Sequence, residues 1–413
     1  MRSMSYIVSL SMVVPLTIVS CRKPYVPPAV STNNSYLVVE GVINAGPDST
    51  FIKLSRTVKI SDKVVANPET GAVLTMEGDQ NISYPLTEIG KGYYASQGLN
   101  LDNNHKYRLK IRTTSNKQYL SDYVEVLNSP PIDSISYDIK GALTQPGVNI
   151  YVSTHDVTNK VVYYRWDYQE TWMISSYYPS YFKSNGDTVL GRNQLTDNIT
   201  DCWQSDTSST IVLGSSAKLT QNIIANQPVI SIPSYSEKVG DKYSILVRQY
   251  ALSADAYNFY VNIKKNNEQL GSIFDALPSD IEGNIHSVSN PGEPVIGYVS
   301  IGSTTSKRIF ISNIALPRWK KDTSYYAGCR LAFNWPKIPC CYYIFPPGPP
   351  NQVDAYINYN PNSTNINGIQ DPLIPINAIV LRPGTPPIGY TASYRKCVDC
   401  TLRGTNKQPA FWQ

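Results

Sequence analysis

Short runs in which apolar and polar residues alternate recur along most of this chain. Clear examples are SYLVVEGVI at 35–43, AVLTM at 72–76 and KYRLKIRT at 106–113, with turn sequences such as NAGPDST and EGDQN between runs. A period of two is typical of strands that are buried on one face. The composition agrees, because the 31 tyrosines favour strands and the 30 prolines favour loops and strand edges. The pattern predicts a mainly β fold.

The first part of the chain, residues 35–129, has several such runs at regular spacing. This predicts an immunoglobulin-like or fibronectin-like β-sandwich. Leu101 precedes Tyr107 by six residues, and Tyr107 begins an alternating run. The spacing resembles the tyrosine corner of such sandwiches, in which the phenol binds backbone at the corner. The alternative is a tyrosine that is simply buried at the start of a strand.

A domain boundary is expected at Pro130 and Pro131, because consecutive prolines continue neither a strand ladder nor a helix. Residues 132–413 are then predicted to form a second β-rich domain. Within it, residues 335–388 hold twelve prolines. We expect an irregular segment there, pinned by cysteines at both ends, because proline is excluded from central strands.

One helix is predicted in the second domain, at residues 253–270. Ser253 is the expected N-cap, and Asp255 lies in the first turn, where a carboxylate complements the helix dipole. An apolar stripe at helical spacing usually packs on the core. Here that stripe consists of Ala256, Phe259, Tyr260 and Ile263.

The chain begins with a segment that is typical of export signals. Its apolar stretch, Tyr6 to Val19, is shorter than the ~20 residues of a membrane-spanning helix. It ends in IVSC, which resembles a bacterial lipobox. We therefore expect a lipoprotein signal peptide at 1–20, a lipid on Cys21 and a Pro-rich tether at 21–34. The alternative is an ordinary cleaved signal followed by an unrelated cysteine.

The remaining cysteines number six: Cys202, Cys329, Cys340, Cys341, Cys397 and Cys400. An even number in an exported protein favours disulfides, although the sequence does not choose among the fifteen pairings that six cysteines allow. Two alternatives remain, a redox couple at the C-x-x-C and a zinc site. The zinc ligands would be Cys329, Cys340, Cys397 and Cys400.

Aromatic residues are concentrated in YYRWDYQETWMISSYYPSYF, from Tyr163 to Phe182. Rings interleaved with polar residues suit stacking on a carbohydrate or contact with a protein partner. The alternative is that about half of these rings belong to a sandwich core. The candidate ligand or partner residues are Trp166, Trp172, Tyr177 and Tyr178.

Residues suited to catalysis are few. The motifs of serine hydrolases, zinc proteases and nucleotide-binding loops do not occur in the sequence. A glycosidase needs two carboxylates at a set separation, and the nearest candidates in sequence are Asp275, Asp280 and Glu282, for which turn or capping roles are expected. We expect no catalytic site, no metal and no cofactor. Structural or solvated roles are expected for the three histidines, His105, His155 and His286.

Nucleic acid is not an expected partner. The net charge is +5, but Lys and Arg are scattered along the chain. A nucleic-acid-binding protein usually concentrates them on one face or stripe.

Six phrases together point to a known family. They are YLVVEGVI at 36–43, PIDSISY at 131–137, the helix-centred block at 242–287, VIGYVS at 295–300, KRIFIS at 307–312 and CVDCTLRGTNKQPAFW at 397–412. In this order, behind a lipobox, they resemble the Bacteroidetes lipoprotein family named domain of unknown function 4249, over nearly the whole mature chain. The helix-centred block and the terminal C-x-D-C and P-x-F-W are specific in combination.

The resemblance implies an outer-membrane lipoprotein of the cell envelope with an N-terminal immunoglobulin-like domain and no established catalytic residues. Family members are commonly encoded beside TonB-dependent outer-membrane receptors, which implies an accessory role in nutrient uptake. Arg22 and Lys23 depart from the acidic residues that surface-exposed lipoproteins of this phylum often carry after the lipidated cysteine. The expected function is therefore a non-enzymatic, membrane-anchored partner of such a receptor. The alternatives are a stand-alone surface glycan-binding protein and a hydrolase with an unrecognised carboxylate site.

Overall fold

The computed structural model of the chain describes residues 35–58, 67–139, 146–184, 189–268, 283–333, 373–380, 382–385, 387 and 389–412. Strands dominate these residues, so the mainly β fold is confirmed. The first eight strands are β1 (Leu37–Asn44), β2 (Thr50–Arg56), β3 (Val73–Gly78), β4 (Ser83–Gly90), β5 (Tyr93–Ser96), β6 (Lys106–Arg112), β7 (Gln118–Ser121) and β8 (Val124–Glu125).

These strands form the first sandwich. One sheet has the order β1-β2-β5 and the other the order β4-β3-β6-β7, which is an immunoglobulin-like arrangement. β4 connects the two sheets, because its first half pairs with β3 and its second half with β5. Inward-facing residues such as Leu54, Leu74 and Leu109 are fully buried between the sheets.

Tyr107, at the start of β6, forms the tyrosine corner that the sequence predicts. Its phenol oxygen accepts a hydrogen bond from the backbone N–H of Asp102 at 3.0 Å and donates to the carbonyl of Asp102 at 3.2 Å. Leu101 and Tyr107 are both part of the core. The corner therefore combines a buried ring with hydrogen bonds back to the turn before the strand.

Three short strands from much later in the chain complete this sandwich: β18 (Ile285–Ser287), β19 (Val295–Gly297) and β20 (Ile301–Gly302). β18 pairs with β7, whereas β19 and β20 run parallel to β1. The prediction that all of 132–413 belongs to a second domain is wrong for this segment. The backbone groups at the edges of the sandwich need partners, and here the partners come from a distant part of the chain.

Glu293 lies between β18 and β19 and connects this returning segment, residues 285–302, to the first sandwich. Its carboxylate accepts hydrogen bonds from Nζ of Lys117 at 2.8 Å and from the hydroxyl of Tyr119 at 2.9 Å, and Arg56 lies 3.7 Å away. Burial alone would raise the pKa of Glu293, but these donors outweigh burial and hold the pKa below its usual value. Glu293 therefore stabilises the fold at neutral pH, and this contribution is lost as the pH falls through the lowered pKa.

The second sandwich contains β9 (Ile132–Asp138), β10 (Gly147–His155), β11 (Tyr163–Ser175), β14 (Asp201–Thr207), β15 (Val212–Ser215), β16 (Ile223–Pro233), β17 (Lys242–Leu252) and β21 (Thr305–Ser312). One sheet has the order β16-β10-β9 and the other the order β14-β11-β17-β21, with β15 beside β11. Side chains from both sheets, among them Ile150, Trp166 and Val247, form one core.

Gln249 on β17 is fully buried and connects this core to the linker between the sandwiches. Its amide oxygen accepts a hydrogen bond from Nε1 of Trp166 at 2.9 Å. Its amide nitrogen donates to the carbonyl of Pro130 at 2.8 Å and to the hydroxyl of Thr154 at 3.1 Å. A buried amide is stable only when it is paired in this way, so one side chain fixes the position of the linker.

The predicted helix is present as α1 (Ala254–Glu268), and residues 269–270 lie outside the described residues. The hydroxyl of Ser253 accepts a hydrogen bond from the N–H of Ala256 at 3.2 Å, as expected of an N-cap. Among the described residues no helix has the length and apolarity needed to span a membrane. The predicted core face is confirmed, because one buried cluster contains Leu252, Ala256, Phe259 and Tyr260, with Ile263 packed against it.

The remaining strands and the second α-helix are β12 (Phe182–Ser184), β13 (Val189–Gly191), β22 (Ala332–Phe333), β23 (Leu373–Ile379), β24 (Gly389–Tyr394) and α2 (Arg395–Val398). β24 is the central strand between β22 and β23. The prediction that 335–388 is irregular is wrong for β23. Proline is tolerated there because β23 is an edge strand and its register shifts after Pro375. Residues 334–372 lie outside the described residues.

Replacing Gln249 by Ala should lower the free energy of unfolding by about 2 kcal/mol, because the buried N–H of Trp166 loses its acceptor. Urea denaturation measures the change. Gln97→Ala, at an exposed position, is the matched control and should cost less than about 0.5 kcal/mol. Equal midpoints for the two variants would contradict the role assigned to Gln249.

Candidate functional site

Two disulfides join the C-terminal C-x-x-C to segments that are distant in sequence. Cys400 is bonded to Cys202 and Cys397 to Cys329, with Cα atoms 5.7 Å apart in each pair. The disulfide prediction is confirmed for these four cysteines. The zinc and redox alternatives are wrong for them, because each cysteine of the motif is bonded to a different distant partner. The cysteines outside the described residues are Cys21, Cys340 and Cys341.

The short turn between Cys397 and Cys400 is built around Asp399. One carboxylate oxygen accepts a hydrogen bond from the backbone N–H of Thr401 at 2.9 Å, and the other accepts one from Nε of Arg395 at 2.8 Å. The aspartate is 6% exposed. The C-x-D-C motif is therefore a structural unit whose carboxylate holds the turn that carries both disulfides.

Four tyrosines cluster on the surface beside the Cys329–Cys397 bond. Ring centroids lie 4.8 Å apart for Tyr177 and Tyr178, 5.7 Å for Tyr177 and Tyr326, and 5.1 Å for Tyr325 and Tyr326. The backbone N–H of Tyr178 donates to the carbonyl of Cys397 at 3.0 Å. Tyr177 is 49% exposed and Tyr325 is 41% exposed. We call these four residues the tyrosine cluster.

Arg403 supports the tyrosine cluster from the C-terminal segment. Its guanidinium lies 4.4 Å from the ring centroid of Tyr325 and 5.7 Å from that of Tyr326. The same guanidinium forms an ion pair with Glu237. Burial alone would lower the pKa of Arg403, but the bond to Glu237 raises it, so the guanidinium is charged. Cation–π contact with a charged arginine stabilises the positions of both rings.

Trp166 and Trp172 do not belong to this surface, which corrects the sequence prediction. Trp166 is fully buried and Trp172 is 8% exposed, and both pack in the core of the second sandwich. They lie on the inward face of β11, so the alternative of core aromatics is confirmed for them. Tyr177 and Tyr178 follow the end of β11, where the chain leaves the core.

The terminal P-x-F-W packs on the second sandwich. The ring of Trp412 lies 6.2 Å from that of Trp203 and 5.7 Å from that of Phe310. The guanidinium of Arg308 lies 3.6 Å from the ring of Phe411. Trp203 also exchanges two backbone hydrogen bonds with Thr405, at 2.8 and 3.0 Å. The C-terminal segment thus adds a short bridge at the edge strand β14.

The histidines lie in different parts of the fold, and each one contacts an aspartate. No group of three or more His, Cys, Asp or Glu side chains among the described residues is arranged to hold a metal ion. The candidate carboxylates Asp275, Asp280 and Glu282 lie outside the described residues. The histidine contacts are His105 with Asp79 at 3.0 Å, His155 with Asp133 at 2.8 Å and His286 with Asp122 at 3.3 Å.

A buried carboxylate, Glu170, lies inside the second sandwich. It is 3% exposed and accepts hydrogen bonds from Nζ of Lys238 at 2.6 Å and the hydroxyl of Tyr243 at 2.7 Å. Burial, together with the negative charge of Glu170, raises the pKa of Tyr243. Each carboxylate oxygen accepts a hydrogen bond, so the buried charge of Glu170 is compensated and the arrangement is structural.

The sequence pattern did not single out Tyr325, Tyr326 or Arg403. The available signal was a tyrosine pair just before a cysteine, in SYYAGC. The tyrosine pair can be interpreted only when the disulfide pairing is known, because the bond from Cys329 to Cys397 brings Tyr325 and Tyr326 next to Tyr177 and Tyr178.

Comparison with known proteins gives one family and several distant structures. The family model described as Domain of unknown function (DUF4249) matches residues 22–308. No curated protein matches. A two-domain fibronectin type III segment of chicken tenascin is 13% identical, with 54% of this chain and 93% of that chain covered and a TM-score of 0.15.

Two further structures are similarly distant. A Salmonella alpha-2-macroglobulin mutant is 7% identical, covering 67% of this chain and 14% of that chain, with a TM-score of 0.17. The Yersinia pseudotuberculosis adhesin InvE is 11% identical, covering 54% of this chain and 56% of that chain, with a TM-score of 0.14. At these TM-scores the similarities carry no argument about function.

Replacing both Cys329 and Cys397 by Ser should loosen the tyrosine cluster while both sandwiches stay folded. The bond spans 68 residues, and a cross-link of that length contributes about 4 kcal/mol through loop entropy. Hydrogen exchange should rise at 176–180 and 323–330. The control is the double variant Cys202→Ser, Cys400→Ser. Its hydrogen exchange should rise around Trp203 and Thr405 instead. Unchanged protection of 176–180 in the first variant would contradict this.

Proposed function

This chain belongs to the family described as Domain of unknown function (DUF4249), and we propose that it is a non-enzymatic binding protein of the cell envelope. A lipid on Cys21 anchors it to the outer membrane. Its partner is a TonB-dependent outer-membrane receptor, which it assists in nutrient uptake. The observation that carries the proposal is the tyrosine cluster.

The chemistry of this cluster suits a protein partner. Tyrosine and arginine, with tryptophan, are the residues that most often dominate binding energy at protein interfaces. Tyrosine buries a large area while losing the freedom of only two side-chain torsions. Tyr177 is 49% exposed and Tyr325 is 41% exposed, so part of each ring lies at the surface. The cluster is also held before binding, by the Cys329–Cys397 bond and by Arg403. Such preorganisation reduces the entropy that is lost on association.

The arrangement of titratable groups supports a binding role over catalysis. The three histidines are separated in the fold, and Glu170 is already paired with Lys238 and Tyr243. A catalytic site needs a nucleophile or base that faces a reacting atom. The tyrosine cluster offers contact area and hydroxyl groups, which bind but do not by themselves activate a substrate.

Affinity capture from envelope membranes, solubilised mildly, tests the proposal. The tagged full-length protein should recover a TonB-dependent receptor, and the Tyr177→Ser, Tyr325→Ser double variant should recover about tenfold less, because it removes the exposed centre of the surface. Tyr137→Ser is the matched control, since Tyr137 on β9 is 39% exposed. Recovery of no receptor by the unmodified protein, or equal recovery by the double variant, would count against the proposal.

A second candidate function is solitary binding of glycans, favoured by the phenol hydroxyls and exposed rings of the same cluster. Trp166 and Trp172 are unsuitable for testing it, because both are core residues. A glycan array should instead compare the purified protein with the Tyr177→Ser, Tyr325→Ser variant. Binding that the variant loses, in the absence of any receptor, would favour this alternative.

A further inference from the structure

Positive charge is concentrated in the two segments that carry Tyr325, Tyr326 and Arg403. The segments 313–333 and 389–412, which carry Tyr325, Tyr326 and Arg403, contain eight Lys and Arg but only two Asp. The whole chain, by contrast, has 36 basic and 31 acidic residues. The Cys329–Cys397 bond joins these two segments, with Cα atoms 5.7 Å apart, so the residues next to these cysteines, Arg330 and Lys396, lie on neighbouring stretches of backbone.

Internal ion pairs neutralise only part of this charge. Lys321 pairs with Asp241 at 3.2 Å, Arg395 with Asp399 at 2.8 Å, and Arg403 with Glu237. Of the two aspartates in these segments, Asp399 is buried and already paired, and only Asp322 is exposed. Five cations have no carboxylate partner within the part of the chain that the structure describes: Arg318, Lys320, Arg330, Lys396 and Lys407.

Two of these cations, Arg330 and Lys396, are next in sequence to the two cysteines of the Cys329–Cys397 bond. Arg330 follows Cys329 and is exposed, and Lys396 precedes Cys397. Nζ of Lys396 donates to the carbonyl of Ala327 at 3.1 Å, one residue after Tyr326. Protein interfaces usually have an apolar, aromatic-rich centre and a polar rim, and the tyrosine cluster with these cations provides both kinds of residue.

We propose that the partner presents an acidic protein segment, with at least one large apolar side chain, to this surface. The inference rests on the proposed function, namely that the cluster binds a protein, and it specifies the chemistry of the contact. Carboxylates of the partner meet Arg330 and Lys396 at the rim, and the apolar side chain packs among the rings of Tyr177 and Tyr325. Complementary charge of this kind speeds association and sets the register of binding.

Ring geometry favours a protein segment over a polysaccharide. The planes of Tyr177 and Tyr178 meet at 89°, and those of Tyr325 and Tyr326 meet at 85°. Rings packed edge to face make an uneven surface with projecting hydroxyls, whereas a sugar or a base stacks on a flat ring face. An uneven surface suits side chains of different sizes.

Fluorescence anisotropy with the purified full-length protein tests the inference. The probe is a short labelled peptide in which Asp or Glu alternates with Phe or Leu. One control peptide has Ser in place of the apolar residues, and the other has Asn or Gln in place of the acids. The probe should bind about tenfold more tightly than either control peptide, because charge and apolar contact are both required.

Charge reversal on the protein provides the matched variants. Arg330→Glu with Lys396→Glu should weaken probe binding about tenfold and reduce its dependence on salt. Lys160→Glu with Lys218→Glu makes the same change at exposed positions on the second sandwich and should alter binding by less than about twofold. Tyr325→Ser should weaken binding of the probe but not of the peptide that lacks apolar residues.

Three results would overturn the inference. The neutral peptide binding as tightly as the probe would remove the role of charge. Alginate or duplex DNA competing equally well, with no effect of Tyr325→Ser, would indicate a general polyanion surface. Receptor capture that survives Arg330→Glu with Lys396→Glu would leave the proposed function intact and refute the acidic contact. Probe binding as predicted, without any receptor captured, would support the inference and refute the proposed receptor.

Discussion

The arrangement of the C-terminal half depends on one covalent constraint, which is that the two cysteines of the C-x-x-C are bonded to different distant segments. Cys400 reaches Cys202 on β14, and Cys397 reaches Cys329 in the loop before β22. Long loops lose much entropy when they are closed, and a cross-link removes that cost from folding. The two bonds hold the C-terminal segment against the second sandwich and bring Tyr325 and Tyr326 next to Tyr177. The candidate binding surface exists because of this pairing.

The two sandwiches are interlocked along the chain. After β17 and α1 the chain returns to the first sandwich for β18 to β20, and only then adds β21 to the second. Glu293 holds the returning segment, and Gln249 holds the linker at Pro130. Buried polar contacts of this kind are stable only when every partner is in place. The described part of residues 36–413 accordingly forms one compact unit, which presents the tyrosine cluster in a defined position.

Short-range sequence patterns predicted the features that depend on residues close together in the chain. Alternation predicted the strands, the six-residue spacing predicted the corner at Tyr107, and a serine before an apolar stripe predicted where α1 begins. Patterns of this range could not predict that 285–302 would pair with β1 and β7, because strand partners are chosen across the whole chain. They also could not separate Trp166 and Trp172 from Tyr177 and Tyr178. All four lie in one aromatic stretch, and only the end of β11 at Ser175 divides core from surface. For the same reason Tyr325, Tyr326 and Arg403 had no visible connection to the other tyrosines.

Peptide mapping of the purified native protein without reduction tests the central constraint most directly. Proteolysis followed by mass spectrometry should yield one linked pair that contains Cys202 and Cys400 and another that contains Cys329 and Cys397. A bond between Cys397 and Cys400 within one peptide, or free thiols at these positions, would contradict the arrangement and remove the physical basis of the tyrosine cluster.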